Sequence, residues 1–341
     1  MNPRDPLPLR VSLACCGAHR IRSSCLLVAL LALTAGCGGE TGPNTSSSTH
    51  WLACDTDLEC ANLAVGARCG EDGYCAAPEG DRLTQELVYS DEFDAETLDS
   101  THWHYETGTA IRNDEAQAYT DRPENVRIDA GELVLTARAE PYDGAEFTSG
   151  SITSEGLFSF SFGRIEARIS MAPGRGCSSA FWMLPESPAP VVRSCPDGAS
   201  CYDGTWPAWG DMTIANQQSQ LPGRVLGTVS YGIWDEELEG VTHGVFGDPT
   251  PAIDEPAAYH RYALEWGPAR LEWFVDDVLV RTLVLPPEDM YLPGGNDPFS
   301  QPFHVRLNLA LGGLDQAPDA ADYPQEMRVD WLRVWQWQPE D

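Results

Sequence analysis

From about residue 87 onward the chain alternates apolar and polar positions in short runs, punctuated by Gly, Pro and Asp. In 131–138, Leu133, Leu135 and Ala137 fall on one face of a strand. In 163–171, Ile165, Ala167, Ile169 and Met171 point one way, and Glu166, Arg168 and Ser170 the other. In 270–285, Leu271, Trp273 and Val275 lead into an Asp276-Asp277 turn, with Val278 and Val280 following. Each run reads as a strand with one face on a core. No long amphipathic helix and no internal repeat interrupts them. Roughly 250 residues of such text predict an all-β fold, two large antiparallel sheets packed as a jelly roll. Its limits are set at residues 85–338.

The first 80 residues follow another pattern. Arg4, Arg10, Arg20 and Arg22 precede an apolar stretch from Cys25 to Leu33. That stretch is far shorter than the roughly 20 residues of a spanning helix, so 1–36 reads as a signal peptide. Leu33-Thr34-Ala35-Gly36-Cys37 resembles a bacterial lipobox, which makes Cys37 the expected lipidation site; ordinary signal cleavage nearby is the alternative. The expected location is then the bacterial cell envelope, with the membrane as a partner through the lipid on Cys37. Residues 37–50, rich in Gly, Ser and Thr, form a flexible tether.

Residues 51–80 hold Cys54, Cys60, Cys69 and Cys75, with five, eight and five residues between them. In an oxidising compartment this predicts two disulfides, whose three connectivities the spacing leaves open. Zinc is the rival reading, but the C-x-x-C spacing is missing. Of the remaining Cys177, Cys195 and Cys201, two are expected to bridge, with Cys195 and Cys201 the candidates.

Charge narrows the partners. The formal net charge is −31, and all 21 basic residues are arginine. So acidic a chain repels nucleic acid and anionic headgroups but not a neutral glycan.

Several phrases then occur in a fixed order. They are Tyr89-Ser90-Asp91-Glu92-Phe93, Glu115-Ala116-Gln117-Ala118-Tyr119-Thr120, Arg122-Pro123-Glu124-Asn125-Val126 and Thr148-Ser149-Gly150. After them come Phe162-Gly163-Arg164-Ile165-Glu166, Ala180-Phe181-Trp182-Met183-Leu184, Glu265-Trp266, Leu307-Asn308-Leu309-Ala310-Leu311-Gly312-Gly313 and Val329-Asp330-Trp331. In this order they resemble glycoside hydrolase family 16, the laminarinase and β-glucanase group, over residues 87–338. The resemblance implies a concanavalin-A-like jelly roll and a cleft for β-glucan or a related polysaccharide. No cofactor is implied beyond an optional structural calcium on the Gly131 carbonyl and Asp330.

The family's catalytic strand reads Trp-Pro-x-x-Gly-Glu-Ile-Asp-Ile-Met-Glu. Here Trp206-Pro207-Ala208-Trp209-Gly210-Asp211-Met212-Thr213-Ile214-Ala215-Asn216 stands in its place. By resemblance Asp211 occupies the nucleophile position, Thr213 the middle carboxylate position and Asn216 the acid/base position. A retaining glycosidase needs two carboxyl groups about 5–5.5 Å apart. Strand period two puts 211 and 213 on one face, and 216 joins them only through a bulge. An amide at 216 has no acidic proton to give, and Asp211 reaches about 1.5 Å less far than glutamate.

Beside the cleft, Ser230 stands where the family often has histidine, and Ser178 and Ser179 replace its tryptophan and proline. Trp206, Trp209, Tyr119, Asn125, Asn308 and Ser230 are the expected sugar contacts, since aromatic faces stack on pyranose rings and amides bind hydroxyls. Trp182, Trp266, Trp273 and Trp331 are expected in the core. Three readings follow: a glycan-binding protein on a hydrolase scaffold, a weak or altered endo-β-glycosidase on a glucan or galactan, or a structural surface lipoprotein with a protein partner.

Overall fold

The computed structural model describes residues 54–339, except 55, 62, 64–65, 72, 79–82, 110, 187–191, 195–199, 204–208, 236–239, 248–252, 254, 287–289, 291–297 and 314. Cys37, Trp206 and Cys195 lie outside the described residues, as does the side chain of Cys201. Among the described residues, helical structure is confined to three-residue 3-10 turns, and no helix is long enough to cross a membrane.

Two large sheets carry the fold. The eight-stranded sheet contains β1 (His104–Tyr105), β2 (Ser151–Thr153), β3 (Ser159–Phe160), β4 (Cys177–Pro185), β5 (Asp211–Gln218), β6 (Leu226–Asp235), β7 (Gly240–Phe246) and β8 (Phe303–Leu311). Their spatial order is β7-β6-β5-β4-β8-β2-β1, with β3 also pairing β8. The eleven-stranded sheet is built around Gly163–Ser170 and Gln325–Pro339, which pair antiparallel along most of their length. This is the all-β jelly roll expected from the alternation.

The core lies between the sheets. Leu133, Leu135, Ala137, Ile165, Ala167 and Ile169 are all fully buried, as their spacing requires. The turn before Val278 is a two-residue hairpin loop: Asp276 and Asp277 have φ of 49° and 64°, and Val275 pairs with Val278. Positive φ at both central positions matches the strand twist, and Asp tolerates it.

The polar face of Gly163–Ser170 departs from expectation. Glu166 is buried rather than solvated, because Arg164 grips it at 2.6 and 2.9 Å and reaches Glu265 at 2.8 Å. Buried charge persists where hydrogen bonds satisfy it. Trp266 and Trp273 are core residues as expected. Trp331 is not; it is half-buried, with the Arg333 guanidinium 4.2 Å above its ring. In the cysteine module the pairs are Cys54–Cys69 and Cys60–Cys75, each spanning 15 residues and worth roughly 3 kcal/mol against the unfolded chain. Cys177 is buried and in no disulfide, its thiol 3.7 Å from the Tyr323 hydroxyl.

Candidate functional site

One face of the eight-stranded sheet covers the core; the other, called the open face, is half-exposed along β4 and at Thr213 and Asn216 of β5 but covered along β8. In β4 the buried positions are Cys177, Ser179, Phe181, Met183 and Pro185, so Ser178, Ala180, Trp182 and Leu184 look outward. Register then fixes the neighbours. Ala180 stands between Asn216 and Asn308, and Trp182 between Thr213 and Arg306.

The bulge that the family resemblance requires for residue 216 to join 211 and 213 is present in β5. Phe181 pairs with Ala215 but Trp182 pairs with Thr213, leaving Ile214 as the extra residue. On the other side Thr213 faces Thr228 and Asn216 faces Leu226, three steps against two. Asp211, Thr213 and Asn216 therefore share the open face, while Met212 and Ala215 are fully buried. Trp273 pins the bulge from within, its indole N–H donating to the Thr213 carbonyl at 2.9 Å. Gly227 makes room for that ring, since a Cβ there would come within 2.6 Å of it. Gly210, at φ 83°, turns the chain into Asp211.

Asp211 is 7% exposed and pairs across strands with Ser230. Asn216 is half-buried; its amide nitrogen donates to Ser178 Oγ at 2.9 Å and to the Ser179 carbonyl at 3.1 Å. Trp209 is half-buried just before Gly210, its carbonyl within 3.4 Å of the Gln301 amide nitrogen.

Three expected sugar contacts are buried and hydrogen-bonded within the protein. Asn125 is 0% exposed; its amide donates to the Thr136 carbonyl and Thr148 Oγ1, and its oxygen accepts from Thr120 and Arg122. Tyr119 is 1% exposed, and its hydroxyl accepts from Asn308 Nδ2 at 3.0 Å. Asn308, 4% exposed, accepts from Trp182 Nε1 at 2.8 Å. A hydrogen-bonded line thus runs under the face from Trp182 through Asn308 to Tyr119, and nearby Glu115 accepts from Gln117 Nε2 at 2.8 Å. Burial raises the Glu115 carboxyl above its ordinary value, against the nearby Arg112 guanidinium.

Trp182 is the site residue that the core expectation missed. It is half-buried on the open face, with the Arg112 and Arg306 guanidinium carbons 5.4 and 5.6 Å from its ring. Beyond it lies a charged cluster also missed. Arg112 forks onto Glu106 at 3.0 and 3.2 Å, and Arg306 binds Glu106 and reaches Glu155 at 2.8 Å. Burial disfavours ionised Glu106, but the two arginines outweigh it and hold its carboxyl below the ordinary value. His304, 2% exposed, accepts from Arg306 Nε at 3.1 Å. Burial and Arg306 push its imidazole down to about 4, with Glu106 opposing.

The optional calcium position is weakly furnished. Asp330 Oδ2 accepts from Arg168 Nη1 at 2.5 Å, so an ion there would have to displace a guanidinium. Gly131 supplies only a carbonyl in the turn before Glu132. Calcium takes six to eight oxygens.

A jelly roll with an open sheet face, a bulged strand aligning three polar positions and a supported tryptophan beside them defines a glycoside-hydrolase-type carbohydrate domain. The Glycosyl hydrolases family 16 model matches residues 112–191 and 248–333. The Beta-glucanase of Rhodothermus marinus is 37% identical over 261 residues, covering 74% of this chain and 85% of the relative. Glucan endo-1,3-beta-glucosidase A1 of Niallia circulans is 32% identical over 275 residues, 73% of this chain and 37% of that protein. The X-ray structure of the laminarinase from Rhodothermus marinus superposes with a TM-score of 0.62 at 34% identity, covering 75% of this chain and 99% of that one. This chain belongs to glycoside hydrolase family 16. The carboxylate chemistry of such glycosidases needs no cofactor.

Proposed function

We propose that this protein holds a neutral β-glucan-type polysaccharide on the open face of the eight-stranded sheet and does not cleave it. The observation that carries this reading is the state of Asn216. At the acid/base position stands an amide whose nitrogen is committed to Ser178 and Ser179. An amide transfers no proton to a leaving oxygen, and loss of a general acid costs about 10²–10⁴-fold in rate. Thr213 supplies no charge to its neighbours, and Asp211 is a methylene short for a nucleophile placed by this frame. Trp182 and Trp209 offer ring faces for stacking, while Asp211, Ser230 and Asn216 offer partners for hydroxyls.

The N-terminal segment belongs to the same reading. A signal peptide ending before Cys37 and a lipid on that cysteine would hold the domain at the cell envelope, where external polysaccharide is met.

A second reading, residual hydrolysis, has two supports. The relatives are named for glucan hydrolysis, and Glu115 is a carboxyl kept above its ordinary pKa by burial near the Tyr119–Asn308 line. In that reading Glu115 supplies the proton and Asp211 the second carboxylate.

A pulldown on insoluble curdlan with soluble laminarin as competitor, read beside a reducing-sugar assay, separates the two. Capture without new reducing ends is expected. Reducing ends that disappear in both Asp211→Ala and Glu115→Gln would establish the second reading.

A further inference from the structure

Ser178 and Asn216 come from neighbouring strands, share the open face and touch. Asn216 Nδ2 donates to Ser178 Oγ at 2.9 Å and to the Ser179 carbonyl at 3.1 Å. A carbonyl only accepts, so the amide cannot turn over without setting Oδ1 against that oxygen. The nitrogen is therefore fixed toward the strand. Among the described residues, Asn216 Oδ1 accepts no hydrogen bond, and Ser178, which accepts from Asn216, gives its own proton to none. Both side chains are half-buried, within reach of solvent. Ala180, paired with both Asn216 and Asn308, leaves only a methyl group on the sheet between them.

We propose that Ser178 and Asn216 act as one hydrogen-bonding unit for a sugar hydroxyl, which donates to Asn216 Oδ1 and accepts from Ser178. The Ser179 carbonyl holds the amide in the one orientation that presents an acceptor, and Ser178, bound to the same nitrogen, is left with its own proton for the ligand. A hydroxyl satisfies this pair because it donates and accepts at once. A sulfate or carboxylate, which only accepts, leaves Oδ1 unmatched and stands on the same face as Asp211. The unit therefore selects an unsubstituted neutral sugar at this point. The inference rests on the reading of the open face as a glycan-binding surface.

Calorimetric titration of the full chain with laminarihexaose tests it, using wild type, Ser178→Ala, Asn216→Ala, the double variant and Ser178→Thr. Each alanine variant should raise Kd about five- to tenfold, as for a lost hydrogen bond or two. The double variant should stay near about tenfold, because coupled losses do not add. Ser178→Thr, which restores the hydroxyl, should bind within about twofold of wild type. An unchanged Kd in Ser178→Ala overturns the unit, as does a double loss equal to the product of the single ones. Those results leave glucan binding standing, whereas wild-type protein that fails to bind removes that reading and the unit with it.

Discussion

On the open face, β5 and β8 place polar side chains in opposite ways. On β8, Arg306 spends its guanidinium on His304, Glu106 and Glu155, and Asn308 is held between Trp182 and Tyr119. On β5, Asn216 is anchored by its nitrogen, and among the described residues its oxygen accepts no hydrogen bond. The β8 half is closed upon itself, whereas on β5 the amide oxygen of Asn216 is the group that the proposed ligand would meet. Charge on an exposed sheet is therefore a poor guide to a binding site. The better guide is the hydrogen-bonding capacity left after the protein has satisfied itself.

The comparison can be broken most forcefully by rebuilding the carboxylates on β5. The combined variant Asp211→Glu, Thr213→Asp, Asn216→Glu should gain at least ~10²-fold in laminarin hydrolysis, read as reducing ends, since the frame and bulge are in place. No gain would mean that the scaffold itself has lost the productive geometry.

The two halves should also differ in stability. Arg306→Met strips a nearly buried carboxylate of a partner and should cost about 3 kcal/mol in urea unfolding. Asn216→Ala, at a half-buried position on β5, should cost under about 1 kcal/mol.

His304 adds a pH dependence to the closed half. In the folded protein it stays neutral down to about 4, whereas its ordinary value is 6.5. Between those limits the unfolded chain binds the extra proton, so stability falls as pH drops from 6.5 toward 4. The loss should approach roughly 2–3 kcal/mol, and His304→Gln should flatten that part of the thermal-unfolding profile against pH.

Trp182 lies at the boundary between the halves. Trp182→Ala should weaken laminarin binding about tenfold, about 1.4 kcal/mol, while Trp331→Ala on the other sheet should leave binding unchanged. The smallest effect belongs to Asp330→Asn, which breaks a partly exposed pair with Arg168 and should cost under about 1 kcal/mol.

Much of this architecture was readable from residue order. Period-two alternation located the core faces of 131–138 and 163–171, and the Asp276-Asp277 turn was legible as chemistry. The resemblance puts residue 216 beside 211 and 213, and strand parity then requires a bulge before Asn216. What one strand's pattern cannot report is which loops cover it. Tyr119 and Asn125 match cleft positions by resemblance, yet Tyr119 is buried against Asn308, 189 residues away, and Asn125 is buried in bonds to Thr120, Arg122, Thr136 and Thr148. The reverse holds for Trp182: with Phe181 and Met183 in the core, alternation already turned it outward, and that signal was available. The cluster of Glu106, Arg112 and Arg306 joins residues some 200 apart, and no local pattern announces it.

The central claim is that the open face binds glucan without cutting it. Its most direct test is prolonged incubation of wild-type protein with laminarihexaose at a concentration where binding is demonstrated, followed by chromatography of the oligosaccharides. Intact hexaose, with no shorter products above a protein-free control, is the predicted result. Shorter oligosaccharides formed by wild type but not by Asp211→Ala would contradict the account and make this protein a working hydrolase.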